Sequence, residues 1–124
     1  MRVLVLLAVP LFAQTPRADM GRLPDVTAAV QTATYCRVSI TLRPSADSEI
    51  KSEVWLPLAT AWNGKFLMGG GGGFVGTVNT RGMTNTVRER YATASTDTGH
   101  TGGSGSFARG HPETWCERNR RSMM

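Results

Sequence analysis

The chain has 124 residues and a formal net charge of +5, with 40% hydrophobic against 19% charged residues. That balance excludes wholesale disorder, which needs few apolar residues and a high net charge. Yet 14 glycines and many Ser and Thr leave few large side chains for a core, so the chain is expected to bury too little surface to be stable alone.

Arg2 is followed by the apolar run VLVLLAVPLFA, residues 3–13. A short positive start, an apolar run too short to span a bilayer, and a closing Ala13 resemble a secretory signal. Leu11 stands where a small residue is usual before cleavage. The expectation is a signal peptide over 1–13 and a secreted or periplasmic protein, with a buried strand or helix as the other reading. Residues 14–34 show no sustained period and read as an extended lead-in with some short structure.

Cys36, Val38, Ile40 and Leu42 then alternate with Arg37, Ser39, Thr41 and Arg43, the period of a half-buried strand. Pro44 to Ser48 is a turn cluster. Ile50, Ser52, Val54 and Leu56 next alternate with Lys51, Glu53 and Trp55. Two such runs joined by a short turn predict an antiparallel hairpin, and Pro57 ends it because it has no N–H for a ladder. Asn63-Gly64 forms a second turn. Lys65 to Met68 restart a strand that runs into five glycines, Gly69 to Gly73.

Thr80 to Tyr91 reads as a helix, with Met83, Val87 and Tyr91 on one face. Gly82 weakens its first turn. Ala92 to Thr96 is a strand of small residues, suited to a crowded central position. Asp97 to Gly110 is a loop rich in Gly, Ser and Thr. Strand, helix and strand after a hairpin predict an α/β sheet with an antiparallel start.

Other features bound the function. The basic residues are scattered, apart from Arg109, Arg118, Arg120 and Arg121 near the end. No basic helix is interleaved with aromatics, so nucleic acid is not an expected partner. Neither that first run nor any other is long and apolar enough to span a bilayer, so no membrane association is expected either. His111 and Cys116 fall short of the about four ligands of a zinc site, and no metal is expected. Cys36 and Cys116 are an even pair, as in a disulfide of a secreted chain, but two residues do not show that they join. Trp55 is read as covering the sheet edge and Trp62 as packing the turn. Carboxylates Asp47, Glu49 and Glu53 are read as a solvated face.

The glycine run admits four readings. A linker joins separate units, whereas this run sits between a strand and a helix of one unit. Gly71 to Gly76 matches G-x-G-x-x-G, with Asp97 about twenty residues on. Thr77 to Asn79 separate Gly76 from the helix, however, so no helix N-terminus underlies a pyrophosphate. A phosphate cradle needs a Lys after the glycines, and Lys65 precedes them. The fourth reading is an oxyanion loop after the third strand of an α/β-hydrolase. A backbone N–H must come within about 2.7–3.1 Å of the developing oxyanion, and a Cβ would obstruct that approach.

The stretches YCRVSITLRPSADSEIKSEVWLP, WNGKF, GGGGGFVG, YATASTDTGHTGG and SFARGHPE, with their spacing, resemble the N-terminal part of the tannase and feruloyl esterase family. That family includes the bacterial hydrolase of mono(hydroxyethyl) terephthalate. The resemblance covers about residues 23–113, and WNGKF and STDTGH are its most specific pieces. It implies a secreted serine esterase on an α/β-hydrolase scaffold, with 35–113 as a partial domain. The implied substrates are small aromatic esters such as those of gallate and ferulate. It also implies a lid holding calcium, a Cys-Ser-x-Gly-Gly elbow, and a later Asp and His.

None of those later parts is in this chain, which contains no C-S-x-G-G and no G-x-S-x-G. No catalytic residue and no cofactor are therefore assigned here. By motif match Gly73 is the candidate oxyanion donor, with Gly72 as the neighbour it could be confused with. His100, placed to tempt a pairing with Ser104 or Ser106, is expected to fix the loop, with Asp97 anchoring the turn after the strand. Cys36 lacks the upstream partner that the resemblance implies. Residues 114–124 diverge into a basic tail, read as a frame change or mispredicted end. The alternatives to an esterase fragment are a small secreted ligand-binding module and, third, a dinucleotide-binding unit.

Overall fold

A computed structural model describes residues 22–110. The proposed signal segment, the 114–124 tail, His111 and Cys116 lie outside the described residues. Five strands form one mixed sheet: β1 (Val26–Gln31), β2 (Tyr35–Leu42), β3 (Ile50–Pro57), β4 (Phe66–Met68) and β5 (Ala92–Thr96). One helix, α1 (Thr80–Arg88), lies between β4 and β5, and a 3₁₀ turn spans Gly105–Ala108. The sheet order is β1-β2-β3-β5-β4. β1, β2, β3 and β5 pair antiparallel in succession, while β4 runs parallel to β5 through the helical crossover.

The hairpin is β2–β3, in register from Tyr35↔Pro57 to Leu42↔Ile50. β1 lies within the stretch read as an extended lead-in. It joins β2 through a tight turn closed by the Thr32 amide on the Tyr35 carbonyl at 2.9 Å. Its sequence, VTAAVQ, has no alternation because the strand is largely exposed on an edge.

The hydrophobic alternation assigns only one face of the hairpin to the core. Val38 and Ile50 are indeed buried, but so is Trp55 on the other face, at 5% exposure. Trp55 sits mid-sheet, opposite Arg37 on one side and Thr93 on the other, rather than covering an edge. Its ring stacks on Tyr35 at 4.8 Å, and its indole N–H donates to Glu53 at 2.8 Å. Arg37 grips the same carboxylate in a bidentate pair, with Nε at 2.8 Å. Burial alone would push the Glu53 carboxyl up, but the Arg37 and Trp55 hydrogen bonds and the Arg37 charge outweigh it and hold it below its ordinary value. The same pairing raises Arg37. Glu53 is thus a paired group that secures Trp55, not part of a solvated face.

The helix packs on β5 and β3, with Met83 as its buried anchor. β5 accommodates it because Thr93 and Ser95 are small and fully buried. The Ser95 hydroxyl accepts from the Asn79 amide at 3.0 Å. Asn79 is the N-cap, its side chain accepting from the Gly82 amide at 2.9 Å. A Cβ on Gly82 would stand 2.7 Å from the Asn79 side-chain nitrogen, so the residue that weakens the first turn also lets the cap close.

The helix ends at Arg88, short of the expected Tyr91. Arg90 takes the left-handed conformation, φ 66°. Its amide donates to the Val87 carbonyl at 3.0 Å and that of Tyr91 to Thr86 at 3.3 Å. These two bonds make a Schellman motif with Arg where Gly is usual. The WNGKF turn clasps this end. The Asn63 amide donates to the Arg90 carbonyl and its side chain to that of Glu89, each at 3.0 Å. Its side-chain oxygen accepts from the Lys65 amide at 2.9 Å. Trp62 is half exposed and donates its indole N–H to the Lys65 carbonyl at 2.9 Å, across the turn.

Candidate functional site

Because β4 and β5 are parallel, the loops that follow them leave from the same edge of the sheet. In α/β sheets that carboxyl edge is where ligands gather. One loop is the glycine run, Gly69 to Gly76. The other begins at Asp97.

The glycine loop is tied at both ends and exposed to solvent in the middle. The Gly69 amide donates to the Ala94 carbonyl at 2.9 Å, continuing the ladder one step beyond β4. At the far end the Gly76 amide donates to the Gly102 carbonyl at 2.7 Å, and the Gly76 carbonyl accepts from the Gly102 amide at 3.3 Å. Gly70 to Gly73 between them are exposed. The Val75 amide donates to the Gly72 carbonyl at 3.3 Å, closing a turn with Gly73 and Phe74 at its centre. Gly73 has φ +60°, as the first central position of a type II′ turn requires, and Phe74 does not share that sign.

This turn fixes a direction. The peptide unit between Gly72 and Gly73 is trans, so its C=O and N–H point opposite ways. The Gly72 carbonyl faces inward to Val75, so the Gly73 N–H faces out of the turn.

The second loop is built for rigidity. Asp97 is buried, and its carboxylate accepts from the Lys51 amide at 3.0 Å and the Gly99 amide at 2.8 Å. Thr98 has φ 59°, a left-handed conformation that is strained for a β-branched residue. It is held there by its amide on the Thr96 hydroxyl at 3.1 Å and its own hydroxyl on the Asp97 carbonyl at 2.6 Å. This turn delivers His100 into the space between the loops, where it is 7% exposed. Its Nε2 lies 2.9 Å from the Phe74 carbonyl oxygen. A carbonyl only accepts, so Nε2 carries the hydrogen. The ring stacks on Phe107 at 4.0 Å.

That commitment of Nε2 to a protein carbonyl argues against His100 as a base for the nearby serines. Ser104 instead caps the 3₁₀ turn, its hydroxyl accepting from the Ser106 amide at 3.2 Å. Gly76 is explained by the same contact: a Cβ there would stand 2.7 Å from Cδ2 and Nε2 of the His100 ring and press on the His100 carbonyl. Gly76 makes this bridge instead of opening a helix. The helix starts at Thr80, and among the described residues no helix N-terminus lies under the glycines. Cys36 is a half-buried free thiol on β2, opposite Gln31 and Leu56. Gly76, Gly102 and Phe107 went unread in the sequence as parts of the site. Their partners lie more than twenty residues away or in a loop without periodicity, and no local pattern announces either.

Residues 36–122 match the family described as tannase and feruloyl esterase. The chain belongs to the tannase and feruloyl esterase family. It is 45% identical over 92 residues to an uncharacterized esterase of Xanthomonas campestris pv. campestris, covering 73% of this chain and 16% of that protein. It is 31% identical over 87 residues to a probable feruloyl esterase B-1 of Aspergillus fumigatus, covering 70% and 16%. Among solved structures, an esterase from Aspergillus oryzae superposes with a TM-score of 0.68 at 28% identity, covering 85% of this chain and 25% of that one. Feruloyl esterase B from the same organism gives 0.62 at 28%, covering 77% and 19%. The tannase and feruloyl esterase match thus spans about a sixth of the length of these curated relatives, and the fold seen here is one portion of an α/β-hydrolase-like esterase sheet.

Proposed function

We propose that this chain is the N-terminal portion of a secreted carboxylic ester hydrolase that cleaves esters of aromatic acids through an acyl-serine intermediate. In it Gly73, with Gly72 beside it, supplies a backbone N–H to the oxyanion. The observation that carries this reading is the exposed glycine turn at the carboxyl end of β4, fixed at both ends and turned so that the Gly73 N–H faces outward. The family membership supports the ester chemistry, and the relatives named as feruloyl esterases support the aromatic acid. The substrate is a small ester, with neither nucleic acid nor membrane as a partner. The calcium that the family resemblance implies would belong to a lid outside this stretch.

The surface of β4 supports its being part of a larger sheet. Phe66, Leu67 and Met68 are consecutive apolar residues, each more than half exposed. A strand apolar on both faces is what the interior of a parallel sheet requires. The nucleophile, base and acid would come from the length of sequence that the relatives have and this stretch does not. An oxyanion donor without them has nothing to stabilise, so the 124-residue chain is inactive by itself.

The experiment has two arms. The purified 124-residue protein is assayed against methyl ferulate and a phenyl ester, with no turnover expected. Residues 23–110 are also grafted into the feruloyl esterase B of Aspergillus oryzae in place of its matching segment, with hydrolysis expected to persist. Turnover by the 124-residue protein that a serine-directed phosphonate abolishes would refute inactivity alone. A graft that folds but hydrolyses nothing would refute the oxyanion assignment.

A further inference from the structure

The two loops at the carboxyl edge are joined by a short series of hydrogen bonds that ends at the Gly73 amide. His100 Nε2–H donates to the Phe74 carbonyl at 2.9 Å. That carbonyl belongs to the peptide unit whose N–H is that of Val75. The Val75 N–H donates in turn to the Gly72 carbonyl at 3.3 Å. The Gly72 carbonyl belongs to the peptide unit whose N–H is that of Gly73. Each unit is planar and trans, so fixing one end fixes the direction of the other. His100 therefore sets the direction of the Gly73 N–H through two peptide planes without touching what Gly73 faces.

We propose that His100 is a positioning residue for the glycine loop: it pins the Phe74–Val75 peptide and thereby aims the Gly73 N–H. Four features make the pin stiff. The ring is buried and stacked on Phe107. Gly76 lacks the Cβ that would displace it. The Gly76–Gly102 bridge holds the two loops together on the far side. Asp97 fixes the root of the turn that carries the histidine, accepting two backbone amides. Strain at Thr98 is retained because that conformation is what delivers the ring to Phe74. The consequence for catalysis rests on the esterase reading, since aiming a donor matters only where an oxyanion forms. A donor displaced by about 1 Å loses on the order of a hundredfold in rate.

The geometric half is tested on the 124-residue chain by amide hydrogen exchange. His100→Leu removes the donor at similar volume, and His100→Gln restores an N–H at the reach of Nε2. In His100→Leu the Val75 amide is expected to exchange at least about tenfold faster, a loss of about 1.4 kcal/mol of local protection. The β5 amides of Thr93 and Ala94 should be unchanged, and His100→Gln should recover most of the protection. Unchanged exchange at Val75 would overturn the proposal, as would nitrogen spectra of the unsubstituted chain showing the ring hydrogen on Nδ1 alone.

Should the isolated chain show no protected β5 amides, the same exchange is read in the grafted esterase. There His100→Leu is expected to lower kcat by ten- to a hundredfold with KM little changed, and His100→Gln to recover it. An equal kcat in an active graft would overturn the positioning role. A graft already inactive with His100 in place counts against the esterase reading, and the exchange at Val75 then decides the proposal alone.

Discussion

Replacing Gly76 by Ala is the sharpest perturbation of the site. A Cβ built there stands 2.7 Å from both Cδ2 and Nε2 of His100 and closer still to the His100 backbone oxygen. Ordinary contacts between such atoms are about 3.5 Å or more, so the ring must retreat by most of an ångström. It has little room, because Phe107 stacks on it at 4.0 Å. If the ring stays, the overpacking costs about 1–3 kcal/mol. If it swings away, the bond to the Phe74 carbonyl is lost, at about 0.5–1.5 kcal/mol. The bridge to Gly102 is strained in either case. The expected loss is about 1–3 kcal/mol. Gly72→Ala is the matched control, since a Cβ there meets nothing within 4 Å; it should cost less than about 0.5 kcal/mol. Urea melts read by Trp fluorescence measure both, in the isolated chain if it unfolds cooperatively and otherwise in the grafted esterase. A Gly76→Ala midpoint indistinguishable from that of Gly72→Ala would refute the contact.

Three further outcomes are expected. Gly73→Ala meets no atoms but must hold φ +60°, so the same melts should show a loss of about 1–2 kcal/mol, intermediate between the other two glycine variants. Arg90→Gly relieves the left-handed Schellman residue and should raise stability by about 1 kcal/mol, seen as a higher thermal midpoint. For Glu53 the folded carboxyl titrates below its ordinary value. Its pairing with Arg37 and Trp55 therefore stabilises the fold at neutral pH and is lost as pH falls through that lowered value. In Arg37→Leu, burial, already the largest single influence, is opposed by the Trp55 hydrogen bond alone, so carbon-13 titration of the Glu53 carboxyl should show it protonating at higher pH than in the unsubstituted chain.

Much of the sheet was legible because its cues are local. Alternation marked β2 and β3, Pro57 marked the end of β3, and the small residues Ala92 to Thr96 marked the crowded strand against which the helix packs. Other elements went unread for physical reasons. β1 has no alternation, since an exposed edge strand has no buried face to impose one. The helix was read too long because Tyr91 continues the apolar spacing, while the stop is made by Arg90 in a conformation usually signalled by Gly. Trp55 was misplaced because its polar neighbours Arg37 and Glu53 look solvated in sequence and are paired in space.

By itself, the sequence determined that a run of side-chain-free backbone follows a strand and precedes a helix, and it limited what such a run can do. Only the tertiary structure decided which glycine serves which purpose. Gly69 continues a ladder, Gly73 turns the chain, and Gly76 makes room for a histidine far along the chain. Backbone freedom is written in composition, but the direction of an amide is set by what its neighbouring carbonyls bind, and those partners meet only when the sheet brings the two loops to one edge.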